Sequence, residues 1–224
     1  MLLTGMCLIF PINTYAQSCE IEQISLRMPD VRVYYRSDQQ EQNYEAYLGG
    51  EALNYDKSSQ FSELNEGVDY YILLDVSAVV QKLKNDDMET VLFQTIVQTA
   101  DMIDQAAQTE EKRRVIITIT DGEDCVTGKA TANEAMSELN HKGIPMYAVA
   151  VDVGKEEYIN SFGEFARNTG GTLNIFNSGT CLDILNQIRS TVQDSYVAFF
   201  HSDTNIASNT REDLTVKFLD QQVT

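Results

Sequence analysis

The order of hydrophobic and polar residues changes near residue 67. Before it, short alternating runs such as VRVYYRS and YEAYLGG are separated by polar stretches, which predicts strands with loose connections. After it, continuous apolar runs alternate with segments in which apolar residues recur every three or four positions, as in a helix. The first such run, VDYYILLD at 68–75, is typical of a strand buried on both faces of a parallel sheet. We therefore predict an N-terminal β-rich segment over 17–66 and an α/β region after it.

The α/β region repeats a pattern of strand and helix. Apolar residues at spacings of four, four, three and four, from Leu92 to Ala107, predict a helix over about 88–108. Further strands are predicted at 114–120, 144–152 and 172–177, and further helices at 131–142, 155–168 and 180–193. Each connection is long enough for a right-handed crossover, so we expect an α/β fold with a doubly wound, mostly parallel sheet over 67–193.

The last segment, 194–224, returns to alternating patterns. YVAFFHS and DLTVKFLD resemble the two halves of an antiparallel pair, which predicts the start of a β-rich C-terminal appendage. The expected architecture is therefore an α/β domain with flanking β-rich segments.

The charge balance restricts the partners. The chain has 16 Lys and Arg against 34 Asp and Glu, a net charge of −18. A surface of this sign repels a phosphate backbone, so nucleic acid is not expected as a partner.

The N-terminus resembles a secretory signal. An apolar stretch in MLLTGMCLIFPINTYAQS is followed by a small-residue site that ends at Ala16, which predicts a signal peptide over 1–16 and a secreted or cell-surface protein. No Lys or Arg precedes the apolar stretch, and an ordinary buried strand or helix is the alternative. Cleavage leaves Cys19, Cys125 and Cys181. Either Cys125 pairs with Cys181, or all three thiols are free.

Oxygen-bearing side chains follow two of the predicted strands. Asp75 ends the first strand, Ser77 lies two residues later, and Asp121 follows the second strand. Because the carboxyl ends of parallel strands meet at one edge of a sheet, we expect these side chains to gather there. Crowded carboxylates raise one another's pKa or bind a cation, and carboxylates mixed with hydroxyls suit Mg²⁺ or Mn²⁺.

These residues carry a resemblance to a known family. DVSAV at 75–79 and TDGED at 120–124, each after an apolar strand, are similar to motifs of the von Willebrand factor type A domain. IPMYAVAVD and FARNTGGTLNIF also resemble that family's later strands, so the resemblance covers about 68–193.

The resemblance implies a metal-ion-dependent adhesion site. Asp75 and Ser77 match its first loop, Thr90 its second and Asp121 its third. In the family a carboxylate of a protein partner fills the open position on the metal, which supplies adhesion and no bond making. The resemblance therefore implies a binding protein without catalytic residues.

Two features differ from the family pattern. Val79 stands where the family has a second ligand serine. Only VVQKLKNDDME separates the first loop from Thr90, where the family has a helix and two further strands. The remaining strands, the first, fourth, fifth and sixth of the family, are still neighbours, so we expect a reduced sheet whose first strand is an apolar edge.

We thus predict an exported type A domain that mediates protein binding or adhesion through a weakened or lost metal site, with cell-surface attachment through regions outside this chain. One alternative is a Mg²⁺-dependent phosphoryl-transfer enzyme on a similar sheet, in which Lys155 would hold a phosphate. Another is a non-functional truncated remnant, which the missing helix and strands favour.

Overall fold

The structure, a computed structural model, describes residues 19–38, 44–75, 91–106, 112–123, 129–151, 156–176, 181–204 and 213–218. The predicted signal peptide, Ser77, Val79, Thr90, Cys125 and Lys155 lie outside these residues. The strands are β1 Glu20–Arg27, β2 Asp30–Arg36, β3 Tyr44–Leu48, β4 Glu51–Ala52, β5 Asn54–Gln60, β6 Gly67–Leu74, β7 Lys112–Thr120, β8 Met146–Val151, β9 Leu173–Phe176, β10 Tyr196–His201 and β11 Leu214–Phe218. The helices are α1 Leu92–Ala106, α2 Ala132–Lys142, α3 Glu156–Asn168 and α4 Cys181–Gln193, with a short 3-10 helix at Phe61–Glu63.

The α/β region forms a parallel sheet with the strand order β6-β7-β8-β9. The predicted α/β class with a parallel sheet is confirmed. β6 lies at the edge of this sheet, as expected for its first strand. Ile72 and Leu74 on β6 are 53% and 60% exposed.

Helices pack on both faces of the sheet because successive residues of a strand point to opposite sides. One face is covered by α1, α2 and α3, whose Ile96, Leu139 and Phe162 belong to the same buried cluster as Ile116 and Met146. The other face is covered by α4, which places Ile188 and Val192 against Val115, Ile117, Tyr147 and Val149. Consecutive β-branched residues in β7 therefore fill two separate cores.

Helix α2 shows why the chain is helical between these strands. The hydroxyl of Thr131 accepts a hydrogen bond from the backbone N–H of Glu134, and the Glu134 carboxylate accepts one from the Thr131 backbone. This capping box satisfies N–H groups of the first turn, and these bonds lower the pKa of the Glu134 carboxyl. Gly143 ends the helix with a φ of 61°.

The remaining strands form two antiparallel sheets, with the orders β1-β2-β10-β5 and β11-β3-β4. The prediction that YVAFFHS and DLTVKFLD pair with each other is wrong, because β10 lies between β2 and β5 whereas β11 pairs with β3. Val197 and Phe200 of β10 are buried in different clusters, so β10 needs a central position between two packed layers. The domain division at 16, 66 and 193 stays a prediction.

Strand β1 crosses the amino end of the parallel sheet. The carbonyl oxygen of Ile24 lies against Gly143 at the end of α2, and that of Glu22 lies against Gly170 after α3. Only the absence of side chains at these glycines allows backbone to approach backbone so closely. The antiparallel and parallel sheets are therefore joined along this strand.

Tyr147 on β8 provides a first prediction. Its phenol is buried, and its hydroxyl has no hydrogen-bond partner among the residues that the structure describes. Replacement by Phe removes an unsatisfied buried group, so we expect the free energy of unfolding at pH 7 to rise by about 1 kcal/mol. Urea denaturation of Tyr147→Phe and of the native chain measures this difference. If Tyr147→Phe instead lowered the free energy of unfolding by about 1 kcal/mol, the hydroxyl would be hydrogen-bonded in the folded chain.

The same pair of proteins tests a pH dependence. Burial raises the pKa of Tyr147, the Glu22 carboxylate raises it further, and Arg113 partly opposes them. As pH rises above the ordinary value of 10.0, the phenol ionises in the unfolded chain but stays protonated in the folded chain. The free energy of unfolding is therefore highest below this pH and falls as the pH rises above it. It should fall less in Tyr147→Phe, which has no phenol to ionise. A gain at about pH 11 no larger than that at pH 7 would contradict this reasoning.

Candidate functional site

The carboxyl ends of β6 and β7 meet at one edge of the parallel sheet. Asp75 directly follows β6, and its backbone N–H donates a hydrogen bond to the carbonyl of Ile119 over 2.9 Å. The hydroxyl of Thr120 donates to the Oδ2 atom of Asp75 over 2.8 Å. One backbone hydrogen bond and one side-chain hydrogen bond thus fix Asp75 beside the end of β7.

The turn after β7 holds Asp121, an acidic residue that is buried, at 3% exposure. Its Oδ1 atom accepts a hydrogen bond from the backbone N–H of Glu123 over 3.1 Å. This bond from the residue two positions on is an Asx-turn, which sets the orientation of the carboxylate. Asp75 and Asp121 therefore lie at the same edge, and Thr120 connects them.

Gly122 shapes this turn. Its φ of 84° is in the left-handed region, and a Cβ atom there would lie 2.9 Å from the carbonyl oxygen of Tyr158 on α3. Its backbone N–H donates to the hydroxyl oxygen of Thr120 over 3.1 Å. The glycine of the TDG motif thus allows the turn to pack against α3 while it orders the hydroxyl that contacts Asp75.

Thr120 was not among the predicted ligands, yet it is completely buried and contacts both Asp75 and the turn. The sequence does contain a signal for it. Thr120 is the last residue of a buried strand, where apolar residues precede it, and a hydroxyl in such a position needs a polar partner. The partner, Asp75, lies 45 residues away in the sequence.

The donor set suits a hard cation. The carboxylates of Asp75 and Asp121 supply only oxygen atoms, the ligand type that Mg²⁺ and Mn²⁺ prefer. Of the four predicted ligands, Asp75 and Asp121 follow the adjacent strands β6 and β7 at one edge of the sheet, whereas Ser77 and Thr90 lie outside the described residues. Within the described part of the chain, no three His, Cys, Asp or Glu residues form a metal-binding group.

Cys181 begins α4 and carries a free thiol, and its pairing with Cys125 stays a prediction. Cys181 lies half-buried after the fourth strand of the sheet, and Cys125 lies outside the described residues.

Comparison with known proteins leaves the family open. No protein-family model matches the chain, and no curated protein matches it. Among the helices that the structure describes, none has the length and apolar character needed to cross a bilayer.

Proposed function

We propose that the chain is an exported protein-binding domain of the von Willebrand factor A type, which holds a divalent cation weakly at the carboxyl edge of its sheet. The observation that carries this proposal is the hydrogen bond of the Thr120 hydroxyl to Asp75, beside the buried carboxylate of Asp121. An acid and its hydroxyl partner from adjacent parallel strands place oxygen ligands where open α/β sheets bind their ligands.

The topology supports the same reading. The order β6-β7-β8-β9 places the strands that resemble the first, fourth, fifth and sixth of the family next to each other. Helices lie on both faces of the sheet, and three of them share one face. A doubly wound sheet that lacks one block of helix and strands would have this arrangement.

The residues at this edge would have different roles in the site. Asp75 and Asp121 would hold Mg²⁺ or Mn²⁺, with Ser77 and Thr90 as the further predicted ligands. Thr120 orients the Asp75 carboxylate, and the backbone N–H of Glu123 orients that of Asp121. When bound, the cation supplies an open position for an acidic residue of a protein partner. Val79 supplies no oxygen ligand, so binding should be weaker than in a complete site.

Calorimetric titration of the whole chain with Mn²⁺ and Mg²⁺ tests the proposal. We expect saturable binding that weakens at least tenfold in Asp121→Ala, because removing one ligand carboxylate removes more than about 1.4 kcal/mol of binding free energy. Thr120→Val should weaken binding less, since it disturbs only the orientation of Asp75. The matched control is Asp203→Ala, which replaces an acid with an 81% exposed side chain just after β10 and should bind like the native chain.

The outcomes separate the candidate functions. No saturable binding by the native chain would remove the metal site and favour the truncated remnant. Binding together with steady turnover of a generic phosphoester would favour the phosphoryl-transfer enzyme instead. Nothing in the described residues favours that alternative, so we expect binding without turnover.

A further inference from the structure

A second, differently charged site lies at the amino end of the parallel sheet, opposite the candidate metal site. A partly open cavity of about 130 Å³ lies between β1 and the helical layer. Its walls come from β1, from Tyr34 on β2, and from the ends of α1 and α2 together with the start of β7. Strand β1 is the edge strand of its sheet, so half of its backbone groups point away from β2 and towards this region.

The residues that line this cavity are mainly basic, whereas the chain as a whole is mainly acidic. The lining contains four basic side chains and one acidic one, whereas the chain as a whole has 16 basic and 34 acidic residues. The five charged lining residues are Arg27, Lys112, Arg114, Lys142 and Asp104. Arg114 is 8% exposed, and the side chain of Lys142 is 10% exposed. Arg27 is exposed, and the side chain of Lys112 is 36% exposed. A concentration of cations at one cavity of an otherwise acidic protein favours an anion there.

Acidic residues outside the lining hold part of this charge in place. Lys142 forms ion pairs with Asp101 and Glu138, and Lys112 lies 3.7 Å from Asp69. Burial alone would lower the pKa of Lys142, but its hydrogen bonds with these two acids raise it. These ion pairs hold the two lysine side chains in position at the cavity.

Uncharged donors complete the cavity. Ser25 and Tyr34 are among its lining residues. The carbonyl oxygen of Ile24 points outward from β1 to Gly143, and the alternation of an antiparallel strand turns the backbone N–H of Leu26 to the same side. Charged and neutral donors therefore surround a space close in size to the ~150 Å³ cavities known to hold six heavy atoms.

We propose that this cavity binds a small tetrahedral oxyanion, a phosphate or sulfate group. Five heavy atoms fit the space, and the four oxygen atoms would accept charge-assisted hydrogen bonds from Lys112, Arg114 and Arg27. The site is independent of the proposed metal site, which lies at the other end of the sheet.

Titration of the whole chain with sodium phosphate, without divalent cations and at constant ionic strength set by sodium chloride, tests the assignment. We expect saturable binding seen by calorimetry or by backbone amide shifts at β1, and competition by sulfate. Lys112→Met should weaken phosphate binding about tenfold, the factor expected for one charge-assisted hydrogen bond. Arg27→Met is the second variant, in case the loss of Lys112 disturbs folding.

Two controls decide the interpretation. Lys217→Met removes a 55% exposed cation on β11, outside the cavity, and should leave phosphate binding unchanged. Asp121→Ala should also leave it unchanged, which separates this site from the metal site. Three results would overturn the proposal: no saturable binding by the native chain, an equal loss in Lys112→Met and Lys217→Met, or acetate binding as well as phosphate.

Discussion

Replacing Arg113 by Met is expected to lower the free energy of unfolding by about 3–5 kcal/mol, the cost of leaving one member of a buried ion pair without its partner. The Arg113 side chain is completely buried, and its Nη2 atom donates to the equally buried Glu22 carboxylate over 2.7 Å. Without the guanidinium, the Glu22 charge stays inside the protein, and the cation that remains is the more exposed Arg36 among the described residues, 3.2 Å from the other carboxylate oxygen.

The guanidinium of Arg113 also joins separate parts of the fold. Its Nη1 atom donates to the carbonyl of Val192 at the end of α4 and to the hydroxyl of Ser195, each over 2.6 Å. Its Nε atom donates to the Gln23 side chain over 3.1 Å, and its plane lies over the ring of Tyr34. One residue of β7 is therefore bonded to β1, to α4 and to the chain that enters β10.

Urea denaturation measures the Arg113 effect, with Arg36→Met as the matched control. Arg36 pairs with the same carboxylate, but its side chain is 36% exposed, so we expect a loss of at most about 1 kcal/mol. The double variant Glu22→Leu, Arg113→Met should regain part of the lost stability, because it removes both charges. A loss below about 1 kcal/mol in Arg113→Met would mean that the buried pair is not formed.

The second large effect concerns Gly143, and we expect Gly143→Ala to lower the free energy of unfolding by about 2–5 kcal/mol. A Cβ atom at this position would lie 1.8 Å from the carbonyl oxygen of Ile24, so β1 or the end of α2 must move. The φ of 61° adds the strain of a left-handed alanine.

Gly50→Ala separates these two contributions. Gly50 also has a positive φ, of 85°, but nothing lies within 4 Å of its added Cβ atom. Its substitution should therefore cost only the backbone strain, about 1–2 kcal/mol. The difference between the two variants in urea denaturation gives the cost of the contact with Ile24. Equal losses would show that β1 does not lie against α2.

Much of the α/β region could be predicted from short-range patterns. The apolar spacing around Ile96 predicts α1, and the TAN sequence that begins at Thr131, with Glu134 and Gly143, contains the start and stop signals of α2. These signals involve residues at most a few turns apart, so the chain displays them locally. The strand-end rule likewise led to Asp75 and Asp121, which lie at the same edge of the sheet.

Other features required the tertiary structure. The alternating pattern of β10 shows that it is a strand, but both β2 and β5 are more than 130 positions away, and a period of two contains no information on partners. In the sequence, Arg113 is a polar residue at the start of a predicted strand. Its contacts with Glu22 and Ser195 form only when the folded chain brings these distant residues together. Local sequence periods thus determined which segments are strands and helices in the α/β region. Long-range pairing and burial decided how β1 and β10 join it, because those contacts depend on residues that meet only in the folded chain.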